Sequence, residues 1–182
     1  MPLGVLQCGA CVVRPPPLDA CLAALPYAYP WSGLIAEFKF RQRPGWAAQW
    51  ALLMRSAPWV EPALESSDLV VPMPLSRERL QERGYNQALV LAQALEPGKL
   101  VSNALLRPLH TAPQSSLTRQ ERLQSVLHAF AIDPHRANQL RGKRIVLLDD
   151  VMTSGASLHA AATVLRHAGA VHITGLVLAR TQ

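Results

Sequence analysis

Charged residues are scarce in this 182-residue chain, at 16% of the total, and only three of its 18 basic residues are lysines. Apolar residues make up 49%. That balance excludes a long disordered chain and supplies enough apolar material for a core. Cysteine is limited to Cys8, Cys11 and Cys21, an odd number that argues against a disulfide framework. No apolar run reaches the roughly 18–20 residues a bilayer-crossing helix needs, so membrane insertion is not expected. The N-terminus lacks a basic segment followed by an apolar stretch, so a cytoplasmic protein is the expectation. Aromatic residues are only 5%, few for a platform on which nucleic-acid bases stack.

What is present is arginine. The net charge is +6 and arginine supplies 15 of the 18 basic residues. Its planar fork suits bidentate phosphate contacts. Ala, Leu and Pro are enriched alongside it, so composition alone leaves both phosphorylated partners and a general compositional bias open. Cys8-Gly-Ala-Cys11 has the spacing of half a zinc site. Cys21 offers a third ligand, but the first histidine is His110. No complete intramolecular zinc site is expected.

Residues 1–30 are rich in Cys, Pro and Ala without clean periodicity and read as an irregular, extended leader. Residues 31–182 read as one α/β domain. Trp31, Leu34, Ile35 and Phe38 form a short helical stripe, and Trp46–Met54 a second helix. Asp68–Pro72 reads as a buried strand that Pro72-Met73-Pro74 must end. The basic loop Ser76–Gly84 follows, then a helix over Asn86–Leu95, a strand over Leu100–Leu106 and a loop over Pro108–Ser116. Thr118–Leu127 is polar, a helix or an arm. Ile145–Leu148 is the most apolar strand. Ser157–Ala168 is a helix with Leu158, Ala161, Ala162, Leu165 and Ala168 on one face, stopped by Gly169. Val171–Leu178 is a last strand. Strands alternating with helices imply a parallel sheet with helices on both faces, and sites in such sheets lie at the carboxyl ends of strands.

Two loops leave strands there. In Ile145-Val-Leu-Leu-Asp-Asp-Val-Met-Thr-Ser-Gly-Ala-Ser157 the strand delivers Asp149 and Asp150, and a loop of small residues opens a helix. A helix N-terminus offers unpaired N–H groups and a positive dipole end, a natural phosphate seat. Thr153, Ser154 and Ser157 add hydroxyl groups, and Gly155 admits close backbone approach. Two carboxylates beside that seat would repel a bare phosphate, but they suit the two hydroxyls of a ribose ring. Phosphate at one end and a vicinal diol at the other describes a ribose 5-phosphate. A nucleotide P-loop is excluded, because Gly98-Lys99 and Gly142-Lys143 lack the downstream Ser or Thr. The second loop runs from Val70-Val-Pro-Met-Pro-Leu75 through Arg77, Arg79 and Arg83-Gly-Tyr-Asn-Gln87. Its arginines suit a pyrophosphate, and Asn86 also suits a helix cap.

The thirteen-residue segment resembles the phosphoribosyl-pyrophosphate (PRPP) motif of type I phosphoribosyltransferases. Together with Val-Pro-x-Pro-Leu and Arg-Gly-Tyr-Asn-Gln it resembles the ComF/GntX family of competence-associated phosphoribosyltransferase-like proteins. The likeness continues in Phe38-Lys39-Phe40, in Arg107, Thr111, Gln114 and Leu117, in Arg119 and Arg122, and in Ala129-Phe130. It implies a type I phosphoribosyltransferase-like fold. It also implies ribose-diol and catalytic roles for Asp149 and Asp150, and PRPP-phosphate contacts from Val151, Met152, Thr153, Ser154, Gly155, Ala156 and Ser157. Pro74, Arg77, Arg83, Asn86, Arg119 and Arg122 are expected on the pyrophosphate, the last two from a mobile segment over about Arg107–Leu127. Mg²⁺ is expected to arrive on the PRPP phosphates. The family usually begins with several CxxC pairs; this chain has one, hence the expectation of no zinc.

Three functions stay open. The first is an enzyme transferring a phosphoribosyl group to or from an unidentified acceptor. The second is a non-catalytic protein handling single-stranded DNA, with competence or recombination proteins as partners, as the resemblance to competence proteins suggests. The third is a sensor of PRPP or a nucleotide monophosphate.

Overall fold

A computed structural model describes residues 9–13, 15–108 and 129–181. Its centre is a four-stranded parallel sheet of Ala20–Pro26 (β1), Leu69–Pro72 (β2), Arg144–Met152 (β5) and His172–Arg180 (β6), in the order β1-β6-β5-β2. Leu105–Leu106 (β3) and Ala131–Ile132 (β4) form a short antiparallel pair apart from it.

The central strand shows why the chain folds this way. Ile145 and Leu147 point to one face of β5, Val146 and Leu148 to the other, and all four are at most 1% exposed. A strand apolar on both sides needs cover on both sides. On the first face the cover is the helix Ala156–His167, through Leu158, Ala161, Ala162 and Leu165. On the second it is the helices Trp31–Phe40, Ala47–Arg55, Val60–Glu65 and Gln87–Leu95, through Phe38, Met54, Leu64 and Leu91. Burying each such side chain contributes about 1.5–3 kcal/mol.

The leader departs from its expected irregular form. Ala20–Pro26 is a sheet strand, paired in register from Ala20 opposite Thr174 to Pro26 opposite Arg180. Asp19 anchors it. Its carboxylate accepts from the Ile173 amide at 2.6 Å and pairs with Arg166, whose Nε also donates to the Pro17 carbonyl at 3.3 Å. Prolines and small residues hid this strand from a reading based on periodicity.

The basic segment also differs from the loop expected. Arg77–Arg83 is a helix, begun by Ser76, whose Oγ accepts from the Arg79 amide at 3.4 Å, and ended by Gly84 at φ 79°. Arg, Glu, Leu and Gln are good helix formers, and seven in a row suffice here. The helix Val60–Glu65 carries Pro62 in its first turn, where proline is tolerated. Of the strand expected over Leu100–Leu106, only Leu105–Leu106 pairs as one, because a turn at Ser102-Asn103 interrupts the run. Leu100 contributes a single bridge to Val70.

Candidate functional site

β2 stops pairing with β5 at Pro72 opposite Leu148, and the Met73 amide makes the last bond, to the Leu148 carbonyl at 2.8 Å. β5 continues alone on that edge. Side chains take over from the ladder there: the Asp150 amide donates to the Asp149 carboxylate at 2.8 Å, and the Val151 amide to that of Asp150. The end of β2 is turned away by Pro72 and Pro74, and a cavity of about 260 Å³ opens beside the exposed end of β5. Lys39, Pro74, Arg79, Arg83, Arg107 and the whole Asp149–Leu158 segment line it.

The two acids differ. Asp150 lies on the face of the other helices, beside Lys39 and Arg83; alternation from Leu147 and Leu148 puts Asp149 on the opposite face, and the pattern then reverses at Val151 and Met152. Asp150 is 6% exposed. Its Oδ1 lies 3.0 Å from Lys39 Nζ and its Oδ2 3.7 Å from an Arg83 terminal nitrogen. Asp149 is half-buried. Burial first, and then the Asp150 carboxylate, push its carboxyl up to about 7.

Beyond β5 the loop is small and open. Thr153 and Ser154 are exposed, and the Ser154 Oγ accepts from the Ala156 amide at 3.4 Å. Gly155 sits at φ 78°, where a side chain would be strained, and a Cβ there would meet His159 Nε2 at 3.2 Å. Burial lowers the pKa of His159 and so favours the neutral imidazole beside the loop. Gly155 opens a twelve-residue helix whose first three residues line the cavity. Val151 and Met152 also line the cavity, yet each is partly committed elsewhere. Val151 packs against the second-face core, and Met152 lies in the first-face core with its Sδ 3.5 Å from Cys21 Sγ.

The residues expected on pyrophosphate divide. Pro74 and Arg83 line the cavity. Arg77 and Asn86 line a neighbouring, more apolar groove instead. Asn86 caps the Gln87–Leu95 helix, accepting from the Leu89 amide at 3.3 Å and donating to the Met73 carbonyl at 3.0 Å. Arg119 and Arg122 lie outside the described residues, as does most of the segment expected to be mobile. Cys8 does too. Among the described residues no group of three His, Cys, Asp or Glu is placed to hold a metal.

Lys39 and Arg107 were not among the residues expected on the ligand, and Arg79 was read only as one of the basic loop's arginines suited to a pyrophosphate. Arg79 and Arg83 are four apart and share a helix face, while Arg77, two before Arg79, projects elsewhere. That spacing was visible in the sequence but carries meaning only once the segment is known to be helical. Arg107 stacks over Phe130 at 5.2 Å. Burial and the nearby Arg79 cation weaken its hold on its proton, and Asp149 opposes them.

The phosphoribosyl transferase domain family matches residues 90–181. Competence protein F of Haemophilus influenzae is 33% identical over 96% of this chain and 78% of its own length. The DNA utilization protein YhgH of Escherichia coli strain K12 is 31% identical over 97% of this chain and 78% of its own. Competence protein ComFC of Bacillus subtilis is 39% identical over 62% of this chain and 45% of its own. Among solved structures, the glutamine PRPP amidotransferase from B. subtilis, complexed with ADP and GMP, aligns with a TM-score of 0.41 at 21% identity, over 76% of this chain and 26% of that one.

Proposed function

From a chain that belongs to the phosphoribosyl transferase domain family and to its competence protein F relatives, we propose a protein that binds Mg²⁺–PRPP and transfers its phosphoribosyl group. One observation carries the reading. The acidic pair at the end of β5 and the Gly155 loop border one cavity, and Arg79, Arg83 and Arg107 line it as well. A ribose diol, a 5-phosphate and a pyrophosphate each have a complementary partner in that arrangement.

The 5-phosphate would sit on the Thr153–Ser157 loop, held by backbone amides, hydroxyls and the helix dipole. The diol would meet the carboxylates. The pyrophosphate would meet the arginines, with Mg²⁺ arriving on it as part of the substrate. In transfer, the bond from the ribose C1 to the pyrophosphate oxygen breaks and its electron pair leaves with the pyrophosphate. The acceptor supplies the electron pair of the new bond and gives up a proton. The chain's part is positioning and stabilisation of the charge that builds on the leaving group.

The names of the relatives suggest that this chemistry serves DNA uptake or utilisation. A direct role in stacking single-stranded DNA has less support. Trp31, Trp46, Trp50, Phe38 and Tyr85 are packed ring against ring. No helix among the described residues is long and apolar enough to cross a membrane, and we place the activity in the cytoplasm.

Thermal unfolding with Mg²⁺–PRPP, ribose 5-phosphate or a nucleoside monophosphate tests the proposal. A ligand that binds only the folded chain at 100 times its Kd adds about 2.7 kcal/mol. PRPP should raise the midpoint by several degrees. No rise with any of the three contradicts the reading.

A further inference from the structure

Phe40 ends the Trp31–Phe40 helix and stays 60% exposed, whereas Phe38, two residues before it, is fully buried against Trp50 and Tyr85. Isolated exposed apolar residues are ordinary on a surface. This one is held at the edge of the site. The Arg83 side chain lines the cavity and reaches within 3.7 Å of Asp150, and its guanidinium carbon lies 5.3 Å from the centre of the Phe40 ring. The backbone around Phe40 is fixed to the turn that follows Arg83. The Tyr85 hydroxyl donates to the Phe38 carbonyl, and Gln87 Nε2 donates to the Lys39 carbonyl at 3.3 Å. Gln42 packs so close to Gly84 that an added Cβ would meet it at 3.4 Å. An exposed aromatic ring is thus set one guanidinium away from the cavity.

That place has a use in transfer. The acceptor must reach the carbon that the pyrophosphate leaves, so its site borders the cations that hold pyrophosphate, and Arg83 is one of them. We propose that Phe40 is a specificity-determining residue: its ring stacks on the acceptor, which is a planar nitrogen heterocycle rather than an aliphatic amine or alcohol. This rests on the PRPP reading above and names the acceptor class for the same site. A ring nitrogen supplies the electron pair of the new bond to the ribose C1, and its proton passes to water. The pyrophosphate leaves with the electron pair of the old bond. Every such heterocycle has a π-face, so an aromatic side chain holds it whatever its edge carries. Stacking also covers apolar surface that the free protein leaves in water.

The product of such a transfer is a nucleoside monophosphate. The experiment therefore compares AMP with ribose 5-phosphate, which lacks the ring, by calorimetry on the full chain. Stacking a base on an aromatic side chain multiplies affinity by about fivefold or more, and the wild-type chain should prefer AMP by that factor. Phe40→Ala should bring the ratio of the two affinities to within about twofold of unity. Phe40→Tyr should keep the ratio, and Phe40→Leu, apolar but not aromatic, should lose it. The ratio is the readout because a shift of Arg83 on losing its ring contact moves both ligands alike. A ratio near unity in the wild type, or one that Phe40→Ala or Phe40→Leu leaves intact, overturns the proposal while the pocket reading stands. A wild-type chain that binds neither ligand overturns the pocket reading and this proposal with it.

Discussion

Lys39, at the end of one helix, meets Asp150, near the end of the central strand, at 3.0 Å with both side chains largely buried. A buried pair is expensive to break because the surviving charge stays in place. Arg83 remains on Asp150 when Lys39 is removed, so the loss is softened. Lys39→Met should cost roughly 1–3 kcal/mol in denaturant unfolding, and the cycle with Asp150→Asn should show a coupling of about 1–2 kcal/mol. Additive effects of the two substitutions would mean that the contact stabilises nothing.

Asp149 sets a pH dependence. Its carboxyl is pushed up to about 7 in the fold from an ordinary value of 3.8. The folded chain therefore holds a proton that the unfolded chain releases. The resulting stability is fully present below pH 3.8 and is lost as the pH rises through about 7. Asp149→Ala should melt above the wild type at pH 8, and the gap should close by pH 4. For a chain of this size each kcal/mol is roughly 2–4 °C. Binding runs the other way: the diol needs the ionised carboxylate, so ribose 5-phosphate should bind more tightly at pH 8 than at pH 6.

Gly155 tests the phosphate seat. At φ 78°, with His159 3.2 Å from any added Cβ, Gly155→Ala should lose roughly 1–2 kcal/mol of stability. It should also lose most affinity for inorganic phosphate, because the loop can no longer hold its shape. Unchanged phosphate binding would place the seat elsewhere.

The helical phase of Arg77–Arg83 separates its arginines. Arg79→Ala should weaken PRPP by about tenfold while sparing ribose 5-phosphate, which has no pyrophosphate to lose. Arg77→Ala, on the neighbouring groove, should leave both within about twofold. Equal effects of the two substitutions in a titration would refute the assignment.

Much of this was legible in the sequence. The β5 strand, the small-residue loop and the following helix come from one unbroken pattern of apolar, acidic and small residues, and they fold in that order, with the strand running past Leu148 to Met152 and taking both acids into it. The family followed from those residues together with Val71–Leu75 and Arg83–Gln87. What stayed hidden depended on contacts distant in sequence. The β1 strand is fixed by pairing with β6, some 150 residues away, and by the Asp19–Arg166 contact, so no local pattern marks it. Lys39 reaches the site only because the second-face helices pack beside β5. The role of Arg79 depended on a helix whose cap, Ser76, and stop, Gly84, were in plain view but were read as a loop. Arg119 and Arg122 lie outside the described residues.

The most direct measurement of the central claim is a calorimetric titration of Mg²⁺–PRPP into the full chain and its Asp149→Ala variant. The account predicts saturable binding at one site per chain, weakened at least tenfold by the substitution. No binding to the wild-type chain, or equal affinity in the two proteins, would contradict it.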